Sequence, residues 1–202
     1  MPHHRIGVLA SGRGSNLQAI MDSCSGGTIP GQVAVVISDN PGAYALQRAK
    51  DANIPAFCVD PSGFNTKEDY EEKISNLLKE YGVQLVCLAG YMRLVGPVML
   101  KEFANRIINI HPALLPAFPG LHAQEQAWNY GVKYSGCTVH FVDEGMDTGP
   151  IILQSVVPVM QDDTPASLAE RILEQEHIIY PEAVRLFLEG RLRIKGRKVE
   201  IL

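Results

Sequence analysis

Cysteine is scarce in this chain of 202 residues. Cys24, Cys58, Cys87 and Cys137 are the only four, and no two have the spacing of a zinc site or a redox pair. A disulfide framework and a cysteine-bound metal are therefore not expected, and Cys58 and Cys87, inside predicted strands, are read as small apolar residues. Charge of one sign is lacking as well: 18 Lys and Arg stand against 22 Asp and Glu, a net of -4. No basic cluster is dense enough to track a phosphodiester backbone. Arg191, Arg193, Lys195, Arg197 and Lys198 come nearest, but no aromatic residues are interleaved for stacking, so they are read as a solvated tail. Long apolar runs are missing too, and Met1 to Arg5 lead straight into a strand-like segment without the apolar core of a secretory signal. Neither a nucleic acid nor a membrane is an expected partner, and the expected location is cytoplasmic.

What is present is an ordinary globular composition, 46% hydrophobic and 20% charged, enough for one substantial core and read as a single domain over residues 1–202. Short β-branched runs at Ile6 to Ala10, Val33 to Ile37, Ala56 to Val59, Leu85 to Leu88 and Ile107 to Ile110 alternate with amphipathic segments. Helices are predicted near Asn16 to Cys24, Tyr44 to Ala52, Lys67 to Tyr81, Pro97 to Phe103, Leu121 to Tyr130 and Pro165 to Glu189. That is a βαβ series: an α/β, Rossmann-like fold with a mostly parallel twisted sheet and helices on both faces. Gly136 to Val142 and Ile151 to Val157 are too close for a crossover helix, so an antiparallel pair is expected toward the C-terminal part.

Ligands of such sheets sit beyond the carboxyl ends of the strands, and three segments with chemistry in them fall there. Ser11-Gly12-Arg13-Gly14-Ser15-Asn16-Leu17 opens a helix with glycines that let backbone amides approach an anion. Leu17 stands where a dinucleotide fingerprint needs its third glycine, and no Gly-Lys-Ser/Thr occurs. A monophosphate site and a plain strand-to-helix turn both remain open. Gly90-Tyr91-Met92-Arg93-Leu94 sets an aromatic, a thioether, a cation and an apolar side chain past a buried strand, a mixture that suits a flat heterocycle or simple packing. In Asn109-Ile110-His111-Pro112 an amide and an imidazole two apart on a strand share a face. Pro112, Pro116 and Pro119 stiffen the segment beyond the strand.

His140 precedes Asp147 by seven residues, and a carboxylate that reaches an imidazole orients it and stabilises its charged form. Asp143, Glu144 and Asp147 lack the spacing of a calcium loop. His122 and His177 lie on predicted helices without metal-ligand partners at helical spacing, and His3 and His4 are expected to be disordered.

With Gly14-Ser15-Asn16, the run from Asn109-Ile110-His111-Pro112 through Leu114-Leu115-Pro116 to Gly120, Asp147-Thr148-Gly149-Pro150 and Gln175-Glu176-His177, the chain resembles the phosphoribosylglycinamide formyltransferases over nearly its whole length. The Asn-x-His and distant Asp are shared with other enzymes of 10-formyltetrahydrofolate. The Gly-Ser-Asn loop, the Gln-Glu-His segment and an end near residue 200 narrow it, without the added RNA-binding or regulatory domains of the relatives.

The resemblance implies formyl transfer from 10-formyltetrahydrofolate, as cosubstrate, to the amine of glycinamide ribonucleotide, without a metal. It implies Asn109, His111 and Asp147 as the catalytic group, with His140 in support. Gly14, Ser15 and Asn16 would hold the ribonucleotide phosphate, and Glu176 its sugar or phosphate region. Met92, Arg93, Leu94 and Val95, with Val142, Asp143, Glu144, Gly145 and Met146, would form the folate pocket. The expected assembly is a monomer or homodimer. Leu173 stands where the family pattern suggests a polar contact to the phosphate, and Thr148 where glycine is also common.

Overall fold

A computed structural model describes residues 4–202. Its contacts divide the chain into two compact units, one running through Asn109 and the other starting at Ile110. The first contains strands β1 (His4–Leu9), β2 (Gly31–Ser38), β3 (Ala56–Cys58) and β4 (Leu85–Leu88), with the opening residues of β5 (Ile107–His111). Helices α1 (Ser15–Ser25), α2 (Tyr44–Asp51), α3 (Lys67–Glu80) and α4 (Pro97–Glu102) connect them.

The strand order is β3-β2-β1-β4-β5 and every pairing is parallel. The sequence dictates this directly. Ile6, Val8, Val35, Val36, Ile37, Leu85 and Val86 are wholly buried, as strands apolar on both faces must be when helices cover them. Because β1 lies between β2 and β4, the chain reverses its winding there, and the loops after β1 and β4 flank the reversal. These two loops are bonded to one another: the Ser11 amide donates to the Gly90 carbonyl at 3.0 Å, and the Met92 amide donates to Ser11 Oγ at 2.9 Å.

The second unit carries α5 (Ala123–Tyr130), β6 (Tyr134–Phe141), β7 (Ile151–Pro158), α6 (Pro165–Leu188), β8 (Leu192–Lys195) and β9 (Lys198–Ile201). Its strands run in the order β6-β7-β9-β8. The β6–β7 pair is antiparallel, as the short connection requires. Helix α6 starts with a capping box in which Thr164 accepts from the Ser167 amide, and it buries Leu168, Ile172, Glu176, Tyr180 and Val184 at four-residue spacing. Arg171 grips Asp163 through two bonds of 2.7 and 2.8 Å and so holds its carboxyl well below the usual range. Trp128 Nε1 donates to the Asp163 carbonyl at 2.7 Å, tying α5 to the start of α6.

The fold is thus α/β and Rossmann-like, mostly parallel, flanked by helices, with antiparallel strands toward the C-terminal part. Three local expectations fail. Residues 192–201 are not a solvated tail but the hairpin β8–β9, turning at Gly196 with φ 58°, and Lys198 pairs in parallel with Ile151 of β7. His4 begins β1 and bonds Gln84 Oε1 through Nδ1 at 3.0 Å, whereas His3 lies outside the described residues. Cys58 ends the short edge strand β3 and is exposed, because no further strand covers that side of it in its unit. No helix of the described residues is long and apolar enough to cross a membrane.

Gly136 supplies a sharp test of the β6–β7 pairing. A Cβ there would meet the Ser155 carbonyl oxygen at 1.9 Å, and backbone cannot give way as a flexible side chain does. Gly136→Ala is expected to lower stability by about 2 kcal/mol or more, while Gly63→Ala, which meets nothing within 4 Å, should change it little. Urea midpoints of the two variants check this, and a Gly136→Ala midpoint equal to wild type would contradict the packing described.

Candidate active site

Three polar side chains of the second unit converge, two imidazoles on one carboxylate. Asp147 Oδ2 lies 3.4 Å from His111 Nδ1, and Oδ1 lies 3.7 Å from His140 Nε2. Oδ2 also accepts the Gly120 amide at 2.8 Å. Each partner arrives from a different element. His111 is the last residue of β5, His140 sits near the end of β6 beside a register shift, and Asp147 lies in the β6–β7 loop with φ 55°. A non-glycine residue in that region is uncommon and is held there by its surroundings. The surroundings are visible: Asp143 Oδ1 accepts from the Gly145 amide and the Thr148 hydroxyl at 3.2 and 2.6 Å, and Arg197 of the hairpin turn donates to the Thr148 carbonyl.

The imidazoles are oriented from their far sides. His111 Nε2 lies 2.8 Å from the Phe118 carbonyl, and His140 Nδ1 lies 2.8 Å from the Phe141 carbonyl. Phe118 itself has φ 52° in the proline-rich stretch after β5. That stretch is anchored a second time, where buried Thr138 Oγ1 donates to the Ala113 carbonyl and accepts the Leu115 amide.

Burial is the largest influence on His111 and lowers its pKa; the Asp147 carboxylate and the Phe118 carbonyl oppose it without winning. Burial alone would raise Asp147, but the nearby His140 ring, the Gly120 amide and the His111 ring together outweigh it, so Asp147 titrates below the ordinary range. Burial thus works against a second proton on His111, while Asp147 is ionised at neutral pH.

The other predicted positions are spread over both units. Asn109 is a strand residue of β5, registered opposite Leu88. Gly14 precedes α1 with φ 70°, and a Cβ there would lie 2.8 Å from Ala45 Cα, so both conformation and the close approach of α2 demand glycine. Ser15 and Asn16 open α1 with their amides at the helix start. Met92 and Leu94 are 63% and 55% exposed, large apolar surface that packing does not use, with exposed Arg93 between them and half-buried Val95 after them. Glu144, Gly145 and Met146 are exposed, and Val142 and Asp143 half-buried. Glu176 is buried on α6, where its charge adds to burial in pushing the Cys137 thiol up to about 12. Leu173 is half-buried on the same helix. His122 is not a helix-interior residue; it precedes α5 with φ 57°. Among the described residues no group of three or more His, Cys, Asp or Glu could hold a metal ion.

A family model described as formyl transferase matches residues 4–184. The chain is 43% identical to phosphoribosylglycinamide formyltransferase of Haemophilus influenzae, covering 95% of this chain and 90% of that one. The chain belongs to the formyl transferase family. Its structural likeness is equally close: glycinamide ribonucleotide transformylase 1 from Symbiobacterium toebii superposes with a TM-score of 0.98 at 60% identity, over 99% of this chain and 94% of that one. It is also 47% identical to the trifunctional purine biosynthetic protein adenosine-3 of Drosophila melanogaster over 92% of its own length, but spans only 14% of that protein.

Within this formyl transferase, sequence reasoning missed Phe118, Gly120 and Thr138 as supports of His111 and Asp147. Phe118 and Gly120 act through backbone atoms, which leave no side-chain signature. The His111–Asp147 pair has a consequence for stability. Both groups titrate below their ordinary values when folded, so as pH falls the unfolded chain takes up protons first and the folded state is disfavoured. The His111 contribution is intact above its ordinary value of 6.5 and is lost as pH drops through the lowered folded value; that of Asp147 follows the same sign below 3.8. Urea midpoints measured from pH 8 downward should therefore decline below about 6.5 in wild type, and His111→Gln should remove that part of the decline. Identical pH dependence in the two proteins would mean that burial does not control His111.

Proposed function

We propose that the chain, as one formyltransferase domain over residues 1–202, moves the formyl group of 10-formyltetrahydrofolate to the amine of glycinamide ribonucleotide. The observation that carries this is the Asp147 carboxylate with His111 on one oxygen and His140 on the other, in a chain of the formyl transferase family. An amine attacking a formyl carbon loses a proton, the folate nitrogen gains one, and charge develops on the formyl oxygen. On this reading Asp147, directly or through a water, relays the proton. Asn109 and His111 donate to the developing oxyanion, and each such donor is worth about 3 kcal/mol of barrier. No covalent intermediate is invoked.

Gly14, Ser15 and Asn16 are assigned the substrate phosphate, which suits amides presented at a helix start. Glu176 is assigned the sugar, since a carboxylate accepts from hydroxyls and repels phosphate. Leu173 offers the phosphate no polar contact, which leaves more of its binding to the loop. Met92, Arg93, Leu94 and Val95, and Val142 to Met146, are assigned the folate: the exposed apolar side chains at Met92, Leu94 and Met146 suit a flat ring. His111 Nε2 faces the Phe118 carbonyl, so donation to substrate exchanges that carbonyl for the formyl oxygen.

The acceptor decides between transfer and hydrolysis of the donor. With 10-formyltetrahydrofolate alone, release of tetrahydrofolate should be slow; glycinamide ribonucleotide should start rapid stoichiometric release, because phosphate binding positions the amine. Asn109→Ala and His111→Ala should each lower kcat roughly a hundredfold with small change in KM. Rapid formate release that ignores the ribonucleotide would sink the transfer reading.

Ser15→Asp separates phosphate binding from folding better than any change at Gly14, which the packing of α2 forbids. A carboxylate in the first turn favours the helix while repelling a phosphate. The free variant should melt at or slightly above the wild-type temperature, yet lose the stabilisation that the ribonucleotide gives wild type. A full ligand-induced shift in this variant would place the phosphate elsewhere.

A further inference from the structure

Helix α3 buries a carboxylate where its pattern calls for an apolar side chain. Tyr70, Ile74, Leu77 and Leu78 form the buried stripe, and Glu71, only 3% exposed, lies within it. A buried carboxylate is costly unless hydrogen bonded, and Glu71 bonds to backbone. Oε1 accepts the Gly96 amide at 2.5 Å and Oε2 faces the Met99 amide at 3.5 Å, both at the start of α4, where Pro97 has no N–H to offer. Lys67, exposed and one turn back, stands 3.8 Å from Oε1. A Cβ on Gly96 would meet Glu71 Oε1 at 2.6 Å, so the carboxylate and the backbone are fitted closely.

The neighbouring residue holds the other end of the same segment. Tyr70 and Tyr91 share a hydroxyl–hydroxyl bond of 2.7 Å, and the Arg93 guanidinium lies over the Tyr70 ring at 5.6 Å from its centroid. Between these anchors Met92, Arg93 and Leu94 are left exposed. Two adjacent residues of one helix thus frame the segment of residues 91–96 at both ends.

We infer that Glu71 and Tyr70 are positioning residues for the formyl donor, holding residues 91–96 in the shape that receives the folate. The inference rests on the assignment of Met92 to Val95 to the folate in the proposed function. It predicts a divided effect. Glu71→Gln keeps the size but turns one acceptor into an N–H group that faces a backbone amide, so the KM for 10-formyltetrahydrofolate should rise roughly tenfold. The KM for glycinamide ribonucleotide and kcat should stay within about twofold, as expected when uniform binding of one substrate is lost. Glu71→Asp should recover part of the loss. Tyr70→Phe, which keeps the ring beneath Arg93 but takes from the Tyr91 hydroxyl its partner, should show a smaller change of the same kind.

Calorimetric titration of tetrahydrofolate into wild type and each variant reads the inference without turnover. Weaker folate binding in folded Glu71→Gln and Tyr70→Phe supports it. Wild-type folate affinity in both variants, or equal rises in the KM of both substrates, overturns it. Failure of the reaction assignment looks different: a wild-type protein that binds tetrahydrofolate but forms no formylated ribonucleotide.

Discussion

The Asp147 carboxylate holds the candidate site together. It accepts the Gly120 amide on one oxygen, faces two buried imidazoles, and occupies a left-handed backbone conformation that the contacts of residues 143–149 impose. A charge in such a place needs every partner, because loss of one leaves the rest of its desolvation uncompensated. The same partners fix the geometry of the site: the Gly120 amide draws in the loop after β5, and the loop's Phe118 carbonyl then sets the ring of His111. One ion thereby orients both the residue that would donate to the substrate and the segment that supports it.

Much of this architecture is legible in the residues. Four of the five β-branched runs are buried on both faces, as parallel strands under helices must be, the edge run at Ala56 to Val59 being the exception, and each predicted helix is present. The pairing of β6 with β7 is implied by the shortness of their connection. The hairpin β8–β9 is harder to see. Leu192-Arg193-Ile194-Lys195 does carry a period of two and Gly196 marks the turn, but four residues are few for the alternation to stand out from a basic cluster. His4 looks disordered from its position near the start, yet pairing of β1 with its neighbours, and not order along the chain, decides.

For the site, His111, His140 and Asp147 are legible by residue type and spacing, and they do meet. Their supports are not. The Phe118 carbonyl and the Gly120 amide belong to the backbone, whose direction depends on a positive φ at Phe118 that no residue preference announces. Glu71 is hidden for the opposite reason: one carboxylate on an amphipathic helix reads as the edge of the polar face until α4 is placed against it. Gly14 reads in the sequence as an approach for phosphate, and the structure adds a second demand, contact with α2.

The contact between His111 Nε2 and the Phe118 carbonyl bears on how the proposed reaction would gain rate. If that nitrogen donated to empty space, it would bind a neutral formyl oxygen and a charged one alike, and part of its effect would be spent on the bound substrate. Here the donor is already satisfied by a neutral carbonyl at 2.8 Å. A formyl oxygen in the ground state is an acceptor of the same kind, so exchanging one for the other gains little. An oxyanion is a stronger acceptor than either, since bonds to a charged partner are roughly twice as strong. On the proposed reading the exchange would become favourable as the tetrahedral intermediate forms, and the stabilisation would fall on the transition state, where it would accelerate the step, and not on the substrate, where it would only tighten binding.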